Sequence, residues 1–277
     1  ISASAFGYGF HDSQAQGSTV PGFGVASIAQ SGAWTTVVEG PLAALANPAM
    51  IRTQGGRTRI AATGGILTWR EEVHLDTTTS KRTDWLPTAY TLGGAFRLAE
   101  GVDAALAAGR VSDFSYSGRH ELPEDPFVPG AVDSLEELVF SGSLYEVALG
   151  VGVDGPAGVR LGVGSGLLIG SADYDYSVQA AGDPESLART ESWSWSQTEP
   201  IGHVGLNYDG SIGQLSAAYI SGSSRYSPRL GVSAMLLAER IGHTLVGFEA
   251  ELISPLASNE FVGRYHMSIP LRSSIDM

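Results

Sequence analysis

From Arg57 onward, apolar and non-apolar positions alternate with a period of two, the pattern of strands that commit one face to an apolar environment. Tyr145, Val147, Leu149, Val151 and Val153 fall on one face, with Glu146, Ala148, Gly150 and Gly152 on the other. The next segment repeats this, Val159, Leu161, Val163, Leu167 and Ile169 opposing Arg160, Gly162, Gly164, Gly166 and Gly170. Further on, Thr244, Val246, Phe248, Ala250 and Leu252 oppose Gly247, Glu249 and Glu251. Finally Phe261, Tyr265, Met267, Ile269 and Leu271 oppose Arg264, His266 and Ser268. Successive strand side chains point to opposite faces, so each segment carries one apolar face and one face of small or charged residues.

Strands are predicted near 58–75, 85–98, 102–117, 135–153, 159–171, 191–208, 213–221, 229–239, 243–253 and 261–271. Their connections alternate in length. The long ones are Asp76 to Asp84, Gly118 to Ser134, Ala172 to Thr190, Gly222 to Pro228 and Ser254 to Glu260; the short ones begin at Ala99, Asp154, Asp209 and Arg240. Strict alternation belongs to an up-and-down barrel with short turns on one rim and long loops on the other, and a Greek-key sandwich does not sort its loops this way. The expected fold is all-β: an antiparallel transmembrane β-barrel of about ten visible strands over 57–277, with room for more beyond Met277, preceded by an N-terminal leader and hatch-like segment over 1–56. The strands exceed the nine to eleven residues a tilted membrane strand needs, so some are expected to project on the loop side. Tyr90, Phe96, Tyr145, Trp193, Trp195, Tyr208, Tyr219, Phe248 and Tyr265 are candidates for aromatic girdles.

Composition narrows the partners. A net charge of −13 argues against nucleic-acid binding, which needs a basic footprint. Absence of cysteine removes disulfides and thiolate metal sites. With 36 glycines, 16% charged residues and a mean hydropathy of +0.05, the chain has no apolar run long enough for a membrane helix, while barrel strands leave hydropathy near zero. Ile1-Ser-Ala-Ser-Ala5 has the small-x-small character of a cleavage site and leans toward export.

Upstream of the strands, Gly22-Phe-Gly-Val-Ala-Ser leads through Ser31-Gly-Ala to Asn47-Pro-Ala-Met-Ile51. Pro41 suits the first position of a short helical turn, and Pro48 forces the turn to end at or before Asn47. The order G-x-G-x-A-S, Ser-Gly-Ala, an acidic residue and then N-P-A-M-I resembles the N-terminal hatch of the FadL-like long-chain fatty-acid transporters of bacterial outer membranes, over roughly residues 20 to 51. The resemblance implies passive uptake of hydrophobic, fatty-acid-like compounds through the bacterial outer membrane. It also implies a hatch at Asn47, Pro48 and Ala49, no cofactor, and membrane lipid and a hydrophobic small molecule as partners. The family has more strands and a longer chain, so a narrower barrel is expected here. The last residues, Leu271 to Met277, do not finish on an aromatic.

Chemistry-bearing motifs are few. Gly150-Val-Gly-Val-Asp-Gly155 matches a dinucleotide fingerprint but runs into another strand rather than a helix. No nucleophile elbow, zincin or P-loop motif is present, and the chain is read as a non-enzyme. His74 with Asp76 and Asp84, or His120 with Glu121 and Asp125, would be the acid–histidine sets of an enzymatic barrel. Asp173 and Asp175 read as a solvated loop tip, and no metal site is expected. Charges facing lipid are costly, so Glu146, Arg160, Glu249, Glu251, Arg264 and His266 are predicted to line the lumen. The alternative function is a scaffold barrel that anchors a protein partner through its long loops, such as Leu122 to Pro129.

Overall fold

The computed structural model describes residues 18–19, 34–36, 38–75, 78–122, 134–180, 187–211, 213–238, 244–253 and 262–268. The strands are β1 (Ser18–Thr19), β2 (Arg59–Leu75), β3 (Thr78–Ala99), β4 (Val102–Asp113), β5 (Tyr116–Leu122), β6 (Ser134–Asp154), β7 (Val159–Ala180), β8 (Leu187–Gly210), β9 (Gly213–Ile220), β10 (Arg229–Ala238), β11 (Thr244–Ile253) and β12 (Val262–Ser268). They form one antiparallel sheet in the order β12-β11-β10-β9-β8-β7-β6-β4-β3-β2, with β1 on β4 and β5 on β6. Each strand along this path pairs with the next in the chain, β4 and β5 together acting as one long strand broken at Phe114 and Ser115. No helix among the described residues is long and apolar enough to cross a membrane.

The ten-strand meander follows the sequence pattern, but the long connections differ from expectation. Leu75 pairs with Thr78, so 78–84 is strand rather than loop. β5 takes 116–122 as strand, and β7 and β8 stay paired from Val159 and Tyr208 to Gln179 and Leu187. The extension Thr78-Thr-Ser-Lys-Arg has polar residues at consecutive positions and no apolar alternation to read, whereas Ala172-Asp-Tyr-Asp-Tyr on β7 does alternate but falls in a predicted loop. Asp173 and Asp175 therefore sit within β7, exposed on its outer face, and not at a loop tip.

Exposure along the strands is inverted relative to a water-soluble sheet. Val163 is 62% exposed and Ile60 79%, and Leu92, Leu106, Leu149, Leu161, Val204, Leu206, Leu215 and Val232 are exposed with them. Glu146, Arg160, His203, Asn207, Asp103 and Ser233 are buried on the other face. Val147 and Val163, which a two-sheet sandwich would bury, point outward. On β7 the apolar outer positions run from Val159 to Ile169 and then give way to Ser171, Asp173 and Asp175, about the length of a tilted membrane strand. The boundary continues across the sheet, Ile169 lying opposite Tyr145 and Thr198. Tyr145 marks the loop-side edge of this band and Tyr208 the turn side; Tyr90, Phe96 and Tyr219 are also exposed. Trp195 departs from the girdle expectation. It lies opposite Ala172, which is buried on the inner face, and packs edge-on against the buried Phe114 at 5.0 Å. Trp193 likewise stacks on Tyr174 at 5.0 Å, beyond the apolar band. The side chains of Phe248 and Tyr265 lie outside the described residues.

One short segment, 34–53, touches strands far apart in the sheet. Pro41 abuts Gly93 on β3, Leu45 abuts Gly109 on β4, and Thr36 Oγ1 meets Ser233 Oγ on β10 at 2.8 Å. In a flat sheet β4 and β10 would stand about 24 Å apart, at about 4.8 Å per strand, so the sheet curls around the segment. A charge placed in the outer band tests this arrangement: Val163→Arg should lower stability by about 2–4 kcal/mol in lipid vesicles. Ser171→Arg, past the band, should cost about 1 kcal/mol or less by the same principle. Reversible denaturant unfolding in vesicles measures both, and equal effects would contradict an outer apolar band.

Candidate functional site

The segment inside the sheet owes its shape to two prolines and an asparagine. Gly40, at φ +71°, reverses the chain so that Pro41 opens a 3-10 turn over Gly40–Leu45. Asn47 then caps a second turn over Pro48–Met50, its Oδ1 accepting from Ala49 N at 3.1 Å. Its Nδ2 donates to Thr35 O at 2.7 Å, tying the second turn back to the start of the segment. Residues 40–51 are all buried. Asn47, Pro48 and Ala49, the residues singled out in the sequence, lie against the inner faces of β6, β7 and β8. Here the wall has no side chains: a Cβ on Gly205 would collide with Asn47 Oδ1, and one on Gly162 with the backbone of Ala49.

Below this contact, toward the short-turn rim, a charged cluster clasps the end of the segment. Thr53 Oγ1 donates to Asp103 Oδ1 at 2.5 Å, and Arg160 Nη2 donates to Asp103 Oδ2 at 2.9 Å and to Ile51 O at 2.6 Å. Arg160 also pairs with Asp154, Arg52 pairs with Asp209, and Arg97 Nε approaches Asp103 at 3.4 Å. These groups line a cavity of ≈ 270 Å³ that opens at the rim. Arg160 reaches Asp103 across the intervening β6, passing over Gly152, whose missing Cβ would lie 3.0 Å from Nη2.

Toward the loop side, His203 Nε2 and Glu146 Oε1 are 2.6 Å apart and both side chains are fully buried. They span β7 in the same manner, over Gly166. Glu146 Oε2 and His203 Nδ1 have no hydrogen-bond partner. Above the pair, on the inner face of the projecting strands, Phe140, Tyr174, Tyr176 and Trp193 form an aromatic ledge, with Phe140 and Tyr174 edge-to-face at 4.5 Å.

Of the predicted lumen residues, Glu146 and Arg160 are buried on the inner face but at different heights, each with a partner the sequence reading did not single out as a site residue. For the others only backbone register is described: Glu249 stands opposite Ser233 and His266, and Glu251 opposite Gly231 and Arg264. The side chains of His74, Asp84, His120 and Glu121, and all of Asp76 and Asp125, fall outside the described residues. The rim cluster of Arg52, Thr53, Arg97, Asp103 and Asp209 was missed. Asp103 and His203 each occupy a strand position in phase with inward neighbours, and that phase was the available signal.

The fold and site define an antiparallel β-meander with an apolar exterior and a charged interior, wrapped around its own N-terminal segment. No protein-family model matches the chain, and no curated protein matches it. Among solved structures the crystal structure of the Ralstonia pickettii toluene transporter TbuX aligns over 84% of this chain and 94% of that chain, at 12% identity and a TM-score of 0.28. At that score the superposition decides neither topology nor function.

The rim clasp makes a specific demand on Asp103. Asp103→Asn leaves the buried Arg160 with one carboxylate in place of two and should cost on the order of 3 kcal/mol. Asp209→Asn, at the exposed Arg52 pair, should cost less than about 1 kcal/mol. Denaturant unfolding of the detergent-solubilised protein measures the contrast.

Proposed function

We propose that this chain is an outer-membrane β-barrel of the FadL-like kind that admits hydrophobic compounds passively, with the segment around Asn47, Pro48 and Ala49 as its hatch. One observation carries the reading: apolar side chains face out along a band about one bilayer thick, while ionised groups and glycines face in. A continuous exposed apolar surface of this extent marks a membrane or partner contact, and a band that ends along one line across β6, β7 and β8 fits lipid. Membrane placement also calls for β2 and β12 to meet, because strand edges left open in hydrocarbon are costly.

The aromatic ledge of Phe140, Tyr174 and Trp193 supports the ligand class. It lies on the inner face above the lipid band, where an apolar compound arriving from the loop side would first find apolar surface. The buried segment supports the hatch, since it fills the wall-to-wall space at the level of the band.

Bacterial cells with an intact lipopolysaccharide leaflet, which slows apolar compounds, provide the test. Expression of the full chain should raise the uptake rate of the apolar fluorophore 1-N-phenylnaphthylamine several-fold over cells lacking it, and Trp193→Ala should slow that uptake. An uptake rate equal to that of control cells, with the folded protein present in the outer membrane, would favour a scaffold barrel instead.

A further inference from the structure

The wall is stepped. β7 and β8 run 22 and 24 residues, whereas β9 and β10 run only 8 and 10. β9 ends at Ile220, opposite His203, so β8 continues toward the loop side without β9 beside it. The connection from Ser221 to Pro228 does not project outward at this step. Ser221 N donates to Gly202 O at 2.9 Å and Gly202 N donates to Ser221 Oγ at 2.7 Å, which turns the chain along β8. Ser224 then donates its N–H to Glu199 Oε2 at 2.8 Å and its hydroxyl to Glu199 Oε1, with Gln197 Oε1 3.1 Å from the same hydroxyl. Arg225 lies over the Trp195 ring at 5.3 Å.

The face these contacts use is the inner one. Glu199 stands opposite Leu168 and Trp195 opposite Ala172, both buried on the inner face, and cross-strand partners share a face. The loop therefore lies across the inside of β8, over the region between the aromatic ledge and the buried segment. Its far end reaches that segment: Tyr226 is buried, Arg229 Nη1 donates to Tyr226 OH at 3.2 Å, and the Arg229 guanidinium lies 5.3 Å over the ring of Trp34. Ser224 is exposed and Glu199 half-buried, so the clasp borders open space.

We propose that residues 221–228 form a strap that closes the lumen on the loop side, fastened by Glu199 and Ser224 and linked through Tyr226 and Arg229 to Trp34 of the hatch segment. The inference rests on the barrel reading, which supplies the lumen. The middle of the strap is held only by the Glu199–Ser224 hydrogen bonds and the Arg225–Trp195 contact, and such contacts cost little to open. A flat or elongated apolar compound that takes the place of Arg225 on Trp195 would lift it, and Arg229 would then leave Trp34.

Single-channel recording of the purified full chain in planar bilayers tests this apart from hydrophobic uptake. Glu199→Ala removes both carboxylate oxygens from Ser224, leaving its hydroxyl only Gln197 Oε1, and should raise the open fraction several-fold; Ser224→Ala should act in the same direction and more weakly. Thr198→Ala, on the outer face, should leave it unchanged. Arg229→Lys keeps the charge but loses the planar stack on Trp34. It should raise the open fraction too, and combining it with Glu199→Ala should give less than the sum of the two effects. Heat-shifted electrophoretic mobility confirms that each variant is folded. Folded Glu199→Ala and Ser224→Ala with wild-type open fractions would overturn the strap, and strict additivity with Arg229→Lys would overturn its link to the hatch. A raised open fraction without fluorophore uptake in cells would leave the strap standing and remove the uptake reading.

Discussion

Once the apolar side chains face outward, nothing in the sheet itself can form a conventional core, and the interior must be held by other means. The described wall solves this by pairing long charged side chains with glycine. Arg160 and Asp103 stand two strands apart, about 10 Å at ordinary strand spacing, and so do Glu146 and His203. Each pair meets because the strand between offers Gly152 or Gly166 at the crossing point. Glycine within a strand weakens it locally, but here it admits a bridge that ties three strands together.

The same absence of side chains receives the N-terminal segment. Trp34, Leu45, Met50 and Ile51 supply large apolar groups where the inner wall is bare glycine, and join one cluster with its Leu144, Leu168, Ile201 and Ile220. Segment and sheet therefore complete one another: the segment gains a wall close enough to exclude water, and the wall gains a core. Asn47 shows how closely they are fitted. Its amide satisfies Thr35 O and Ala49 N, and it fits only because Gly205 presents bare backbone.

Much of this was legible in the chain because a strand with one apolar and one polar face obeys a strict period. Parity alone placed Val163 outside and Arg160 inside, and the Asn47-Pro48 corner followed from proline chemistry. The strand end over Thr78 to Asp84 was not legible because it offers no contrast between faces, whereas Asp173 to Ser177 does alternate polar residues with Tyr174 and Tyr176, and that signal was missed. Parity also places a residue on a face without saying what it meets. Asp103, Arg52 and Asp209 come together only through the register of β4, β7 and β8 and the path of the segment between them. Trp195 was assigned to the girdle from residue type, when its phase with Ile201 and His203 already directed it inward. The strap read as an ordinary long loop because Ser-Gly-Ser-Ser-Arg-Tyr-Ser-Pro has no periodicity, and its inward course depends on how short β9 and β10 are.

Buried ion pairs are often no more stabilising than well-packed apolar groups, so their presence inside this wall calls for a reason beyond stability. Register supplies one. A strand that slips by a single residue exchanges its two faces; in a glycine-rich sheet, where packing discriminates weakly between registers, such slips are otherwise cheap. With Arg160 on β7 and Glu146 on β6, a slip of either strand would turn a charge onto the apolar outer face and bring Val163 or Val147 onto the inner one. At the rim an outward arginine costs only about 0–1 kcal/mol, so the larger penalty of a slip in β7 is the lost bridge from Arg160 to Asp103. The inward charges thus fix which face of each strand is the apolar outer one, and with it the position of the glycines that the buried segment packs against.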